Sequence, residues 1–412
     1  MINFVPEFLV LKECKKRKVS FQEACFKIKT TTTISSSHLK KLAYNTKIIL
    51  SHYFSLNYET FYLFPDIKKD SSESIFISLL LGHLHYLEED EKEIKEGFLD
   101  AIKTLRLSLS VDELNICLKR KDEDMISRVK IEDEKKYLSL RFELPLSLLS
   151  LLLSQYDKKG ALSVIKNLHG KENHLYLKNK DQKINHPKLK EENVFLMPSY
   201  IGKIENSNPL IKDKVLLKAD YLPLKALSNI SSFYGVTSVL LCNLYDYFLP
   251  DCIYLLLKNK TSLQIQTFIK NSLLYRKAVN YNTNKKISFI SAPIEMIKTY
   301  IDPKDKSIVL ISGCSNLLDN MIDPSILCKF EIDDVEKEKK KNLYRLFSTH
   351  CFVNEGGYLV YYNHSPLRKC NEEVIDEFLK TKDEFIKVKE ENIDDSYPLP
   401  KGYYCILQRN KR

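Results

Sequence analysis

Glycine is scarce in this chain. Ten occur in 412 residues, where ordinary usage of about 7% gives roughly 29. An α/β protein needs glycine where its backbone approaches a phosphate or a cofactor, so the scarcity counts against a glycine-lined cradle. Paired cysteines are missing as well. The ten cysteines are scattered, with no C-x-x-C pair and no zinc-site spacing. That argues against a disulfide framework or a metal site and points to reduced thiols in a cytosolic protein. No run suits a bilayer: Leu144 to Leu153 is too short, and Val239 to Leu257 contains Asp246, Pro250 and Asp251. The opening MINFVPEFLV lacks the parts of a signal peptide. The chain reads as soluble and cytoplasmic, with no membrane partner.

What is present suits a folded, multidomain protein. Hydrophobic residues make up 44% and charged residues 29%, enough for full cores and too apolar for a disordered chain. The length suggests two or three domains. Sixty-four Lys and Arg against 54 Asp and Glu leave +10, compatible with a polyanionic partner. From Pro6 to about Lys136 the pattern is all-helical. Ser20 with Glu23 predicts a capping box. Ser35 to Ser37 offers a cap before an expected helix from Leu39 to Phe54, and Ile75 to Tyr86 and Ile94 to Leu109 keep the helical period. His83 and His85 lie two apart, so on a helix they face different ways and do not form a metal pair. Leu146 to Tyr156 and Ala161 to Leu168 read as helices, His174 to Leu177 as a strand, and a polar Lys/Asn stretch follows.

The chain is organised around Asp302 to Leu379. Ile308 to Ile311 is a short β-branched run of the kind that forms buried parallel strands. Cys314-Ser315 sits just past its end, where open α/β sheets place their binding crevice. A charged helix is expected over Asp333 to Phe347. Gly356-Gly357 predicts a turn, Tyr358 to Tyr362 a strand, and Glu372 to Lys380 a helix, with Asn363-His364-Ser365 between the last two.

This arrangement resembles the Fmu/Sun family of RNA cytosine-5 methyltransferases, the bacterial small-subunit rRNA methyltransferase B in particular. Gly356, Gly357, Leu359, Val360, Tyr361, Ser365, Asn371, Glu372 and Val374 stand in register with one family block, without a gap, and Cys314 and Ser315 with another. The resemblance implies a NusB-like helical RNA-binding bundle over residues 1–136, a small α/β RNA-contact subdomain over 137–212, and a Rossmann-like methyltransferase sheet over 213–412. Ala219-Asp220 keeps half of the family's Gln-Asp pair ahead of that last domain.

The family adds a cysteine thiolate to C6 of cytosine so that C5 accepts a methyl group from S-adenosylmethionine, and a second cysteine assists release. The nucleophile position here is His364, and Cys314 holds the release position. The first-block acid aligns with Ile311 and its proline with Gly313. In the cofactor region the acid aligns with Leu240. Cys242 is kept, and Tyr245, Asp246, Tyr247 and Phe248 replace the glycine run. A strand expected at Ile253 to Leu257 ends in Leu257 instead of the ribose-binding acid. The strand Ile287 to Ile290 is followed by Ser291-Ala292 instead of Asp-Ala. Each lost polar contact weakens binding by roughly 1–3 kcal/mol, so no cofactor is expected.

Three functional readings follow. The first is an inactive relative that binds rRNA, the ribosomal subunit or assembly intermediates, as a monomer. The second is an active S-adenosylmethionine-dependent enzyme that uses Cys314 as nucleophile. The third is a protein-interaction scaffold. Candidate phosphate contacts are Lys178, Lys329 and Arg368, with Arg128 and Arg345.

Overall fold

Serine and aspartate punctuate the helices of the first 160 residues. Ser20 accepts from the Glu23 N–H while Glu23 returns to the Ser20 N–H, the capping box expected. Ser35 and Ser71 cap the helices Ser36–Ser51 and Ser72–Tyr86, and Asp90 caps Glu91–Leu105. Each cap satisfies N–H groups that a helix start leaves without intrahelical partners. The computed structural model describes residues 2–16, 19–32, 34–87, 89–119, 126, 129, 133–168, 173–195, 197–230, 236–242, 248–257, 263–313, 327–393 and 402–411. The chain divides into two units, Met1–Ala161 with Asn320–Ile332, and Leu162–Asp319 with Asp333–Arg412.

The first unit is helical. Phe4, Phe8, Phe76 and Phe98 are buried at its centre, with Phe4–Phe76 and Phe76–Phe98 centroids 5.8 and 5.7 Å apart. The single helix expected from Leu39 to Phe54 is instead two, Ser36–Ser51 and Tyr53–Leu63, broken at His52. The break frees the N–H groups of Phe54 and Ser55, and the Glu143 carboxylate takes both, at 2.8 and 3.2 Å. A distant acid thus replaces a local cap. Among the described residues no single helix is long and apolar enough to cross a membrane.

The second unit holds two sheets. Strands β1 (His174–Lys178), β2 (Leu189–Val194), β3 (Met197–Gly202) and β4 (Leu216–Ala219) form an antiparallel sheet in the order β2-β3-β1-β4. The polar stretch after β1, read from sequence without strands, therefore contains β2 and β3. Lys190, Glu191 and Glu192 follow one another along β2, an edge strand with little buried surface. The second sheet is β10-β11-β9-β8-β5-β6-β7. Its strands are β5 (Ser238–Cys242), β6 (Gln264–Phe268), β7 (Ile287–Ile290), β8 (Lys306–Ser312), β9 (Val353–Asn363), β10 (Phe385–Ile393) and β11 (Gly402–Arg409). β5 to β9 run parallel, and β11 is antiparallel to both neighbours. Side chains alternate between faces: Val239, Leu241, Ile308 and Leu310 enter one apolar core, and Leu240, Cys242, Val309 and Ile311 the other. The architecture is a multidomain α/β protein with a Rossmann-type sheet.

Two expectations need correction here. Ile253 to Leu257 is not a strand but the end of the helix Leu249–Leu257. An apolar run of five does not separate a buried strand from a buried helix. The next strand is β6, so Leu257 lies at a helix end and not at the ribose position. Gly356-Gly357 is not a turn between elements but lies inside β9. There the register shifts between Lys306 and Ile308 of the partner strand, and Gly356 takes φ +75°, the left-handed conformation that a bulge requires.

Candidate functional site

The strand order reverses between β8 and β5: β5 leads to β6 and β7 on one side, and β8 leads to β9 on the other. In open parallel sheets the binding crevice lies at the carboxyl ends of the strands beside such a reversal. The described residues at those ends are Cys242, Phe268, Ile290, Ser312-Gly313 and Asn363 onward.

The loop after β9 is held by its own side chains. Asn363, 1% exposed, donates through Nδ2 to the Cys370 carbonyl (3.2 Å) and Asn371 Oδ1 (3.0 Å), and its Oδ1 accepts from the Ser365 N–H (3.2 Å). Tyr361 Oη donates to the same Cys370 carbonyl at 2.6 Å. Asn371 Nδ2 donates to the Ser365 carbonyl at 2.7 Å, and Ser365 Oγ accepts from the Leu367 N–H at 3.2 Å. Buried polar groups with partners on several sides define one conformation. Gly313 belongs to the same packing. Its N–H donates to the Tyr362 carbonyl at 2.6 Å, and a Cβ there would meet Asn363 Cγ at 2.7 Å and Tyr361 Oη at 2.8 Å.

His364 stands next in this loop. Its Nε2 is 3.1 Å from Asp220 Oδ2, with the imidazole 27% and the carboxylate 17% exposed. Asp220 also caps the helix Tyr221–Ser228, its Oδ1 accepting from the Leu222 N–H. A carboxylate at that distance orients an imidazole, as in Asp–His pairs that position a base. It also commits Nε2, so that nitrogen is not presented as a nucleophile. Sequence reasoning noticed Asp220 only as half of a family dipeptide. The signal available was its place as an N-cap residue, which fixes the carboxylate but not its second partner, 144 positions away.

The last residues of β5, β6 and β7, Cys242, Phe268 and Ile290, carry no charge. Leu240 is fully buried beside Phe268, Ala292 and Ile311, and Cys242 is 2% exposed. Burial pushes the Cys242 thiol well above its usual range, while the charge of Arg345 pulls the other way. β6 ends in Phe268 and continues as Ile269-Lys270, and β7 is followed by Ser291-Ala292. S-Adenosylmethionine needs acceptors for its ribose hydroxyls and polar partners for adenine. Leu240, Phe268 and Ala292 are buried in the core behind these ends and supply no such acceptor. Arg345, from the helix Ile332–Thr349, donates through Nη1 to the Ser312 carbonyl at 3.1 Å, at the carboxyl end of β8.

The remaining expected site residues are dispersed. Cys314, Asp246 and Arg128 lie outside the described residues. Lys178 ends β1 with its ammonium 3.2 Å from Asp181. Lys329 belongs to the helical unit, where its Nζ is 3.5 Å from the Val19 carbonyl. Arg368 is 4.0 Å from Glu372. Among the described residues no group of three or more His, Cys, Asp and Glu side chains could hold a metal. His83 instead lies buried between Glu7 and Glu89, and His85 is 3.0 Å from Glu59.

This sheet, with its reversal, is the fold of the Rossmann-type methyltransferases. The crystal structure of PH0851 superposes with a TM-score of 0.67 at 13% identity, over 99% of this chain and 97% of that one. A methyltransferase homolog protein from Pyrococcus horikoshii superposes with a TM-score of 0.54 at 11% identity, over 66% of this chain and 97% of that one. At such identities the likeness is one of fold. No family model matches the sequence, and no curated protein matches it.

Proposed function

We propose that this chain is a methyltransferase-fold protein that has lost methyl transfer and acts by binding RNA: rRNA, the ribosomal subunit or an assembly intermediate. The observation that carries the reading is His364. The position that resembles the family's thiolate nucleophile holds an imidazole turned onto Asp220, in a loop closed by its own hydrogen bonds. A thiolate is needed because it adds to an electron-poor ring carbon near neutral pH and later leaves. An imidazole committed to a carboxylate does neither through that nitrogen. The apolar Leu240, Phe268 and Ala292 support the same reading from the cofactor side.

Calorimetric titration of the full chain with S-adenosylmethionine gives no saturable heat up to about 1 mM, which corresponds to less than about 4 kcal/mol of binding. A micromolar affinity overturns the inactive reading. For the RNA part, the net charge of +10 supplies sequence-independent attraction whose affinity falls steeply with salt. Binding of rRNA fragments by the full chain at 50 mM salt that fades by 300 mM is the expected result. No binding at the lower salt overturns it.

The retained Cys314, next to the tightly packed Gly313, favours a second reading in which catalysis persists with a displaced nucleophile. It requires methyl transfer to rRNA transcripts that Cys314→Ala abolishes.

A further inference from the structure

Two neighbouring helices of the helical unit hold wet aromatic rings among lysines. The helix Ser36–Ser51 turns Leu42, Ile49 and Leu50 into the core. Its opposite side carries Lys40, Tyr44 and Lys47, all exposed. Their i, i+4 and i+7 spacing places them on one stripe. The preceding helix, Phe21–Thr31, packs beside it and buries Ala24, Cys25 and Ile28 in the same core, leaving Phe26 and Lys29 outside. Tyr44 is 66% and Phe26 67% exposed. Among the described residues neither makes a ring or cation contact.

The charge on this surface has one sign. The helix Ser36–Ser51 contains Lys40, Lys41 and Lys47 and no acid. Lys41 lies 3.4 Å from Glu89, and Lys27 lies 2.7 Å from Glu13. Among the described residues no acid pairs with Lys29, Lys40 or Lys47. A helix that only faces water interleaves its signs, as Glu91–Leu105 does with Glu91, Lys92, Glu93, Lys95 and Glu96. Lone rings between cations do not suit a membrane surface, which needs a broad apolar helix face.

We propose that the stripe Lys40–Tyr44–Lys47, extended by Phe26 and Lys29, binds single-stranded RNA. Unpaired bases stack on exposed aromatic rings while their phosphates meet nearby cations, a mode that tolerates any sequence. About 10 Å of helix separates Lys40 from Lys47, with the ring between them, so a base on Tyr44 has an ammonium to each side for its flanking phosphates. A duplex hides its base faces and offers the ring nothing to stack on. The site rests on the RNA-binding reading above and narrows it to unpaired strands.

The test uses the full chain in four forms: wild type, Tyr44→Ala, Tyr44→Phe, and Lys40→Gln combined with Lys47→Gln. The probes are a fluorescein-labelled 12-nucleotide RNA without self-pairing and the same strand annealed to its complement, followed by anisotropy at several salt concentrations. Loss of one stacked base weakens binding roughly tenfold. Tyr44→Ala should therefore bind the single strand about tenfold more weakly with an unchanged salt slope, and Tyr44→Phe, which keeps the ring, should match wild type. Each phosphate contact contributes about 0.7 to the slope on a single strand, so the lysine variant should lower it by about 1.4. Binding of the duplex should not respond to Tyr44→Ala. The substituted side chains are exposed, so thermal unfolding of the four forms should coincide. If wild type, Tyr44→Ala and the lysine variant bind the single strand with equal affinity and slope, this surface is overturned and the RNA-binding reading stands. If wild type binds no RNA at 50 mM salt, both are overturned. Phosphatidylserine vesicles bound in place of RNA, with the same dependence on Tyr44, overturn RNA as the occupant.

Discussion

The helical unit and the sheet unit each bury a polar cluster, built from opposite chemistry. In the helical unit His83, fully buried, sits between the carboxylates of Glu7 and Glu89, and Glu7 also accepts from Asn45 Nδ2 at 3.0 Å. Burial alone would pull the imidazole down, but its hydrogen bonds to Glu7 and Glu89 and their charges hold it up at about 9. In the sheet unit Asn363, Asn371, Ser365 and Tyr361 close on one another and on the Cys370 carbonyl without a formal charge. The first cluster depends on protonation and joins residues up to 76 positions apart. The second is built from amide and hydroxyl groups and fixes a loop of about nine residues. The ionised cluster joins helices of the bundle, whereas the neutral one fixes the loop that follows β9.

Removing one carboxylate from the ionised cluster is the most damaging change. Glu7→Ala leaves a buried imidazolium with half its compensation, and urea unfolding should show a loss of roughly 3–5 kcal/mol. Almost as large is the pH effect on the intact protein. The folded value of His83, about 9, lies above its unfolded value of about 6.5. Its contribution is therefore full below about pH 6.5 and is lost as pH rises through about 9, amounting to roughly 3 kcal/mol. Unfolding curves at pH 6 and pH 9.5 measure it, and a flat profile would break the contrast. Asn363→Leu should cost roughly 1–3 kcal/mol by leaving the Ser365 N–H and Asn371 Oδ1 without their partner. Urea unfolding measures that loss. The smallest effect belongs to Asp220→Asn. It keeps the helix cap but removes the charge facing a partly exposed His364, so stability should change by less than about 1 kcal/mol. An NMR titration of His364 in both proteins would detect the altered partner directly.

Much of the fold was legible in the residues themselves. The runs that became β5, β8 and β9 are apolar on both faces, the pattern of a strand covered on two sides. Ser20 with Glu23 announced a capping box that needs no partner outside its own turn. The misreadings have equally physical causes. Ile253 to Leu257 is as apolar as a buried strand and packs as a helix. β2 and β10 escaped because LKEENV and FIKVKEENI are largely polar, as edge strands are when charge protects them from pairing with other chains. Of the candidate site, His364 and Leu240 were singled out only by their register with the family's blocks, and nothing local reveals that His364 faces Asp220 or that Arg345 reaches Ser312.

The sequence by itself determined the local decisions: where helices start, which runs are buried on both faces, and which side chains stand at the strand ends. Those follow from periodicity and side-chain chemistry within a few residues. Only the tertiary structure decided what these side chains do. Asp220 meets His364, Asn363 meets Asn371 across a closed loop, and a helix brings Arg345 to the reversal between β8 and β5. Such contacts are set by how the sheet stacks its strands, and no spacing along the chain encodes them.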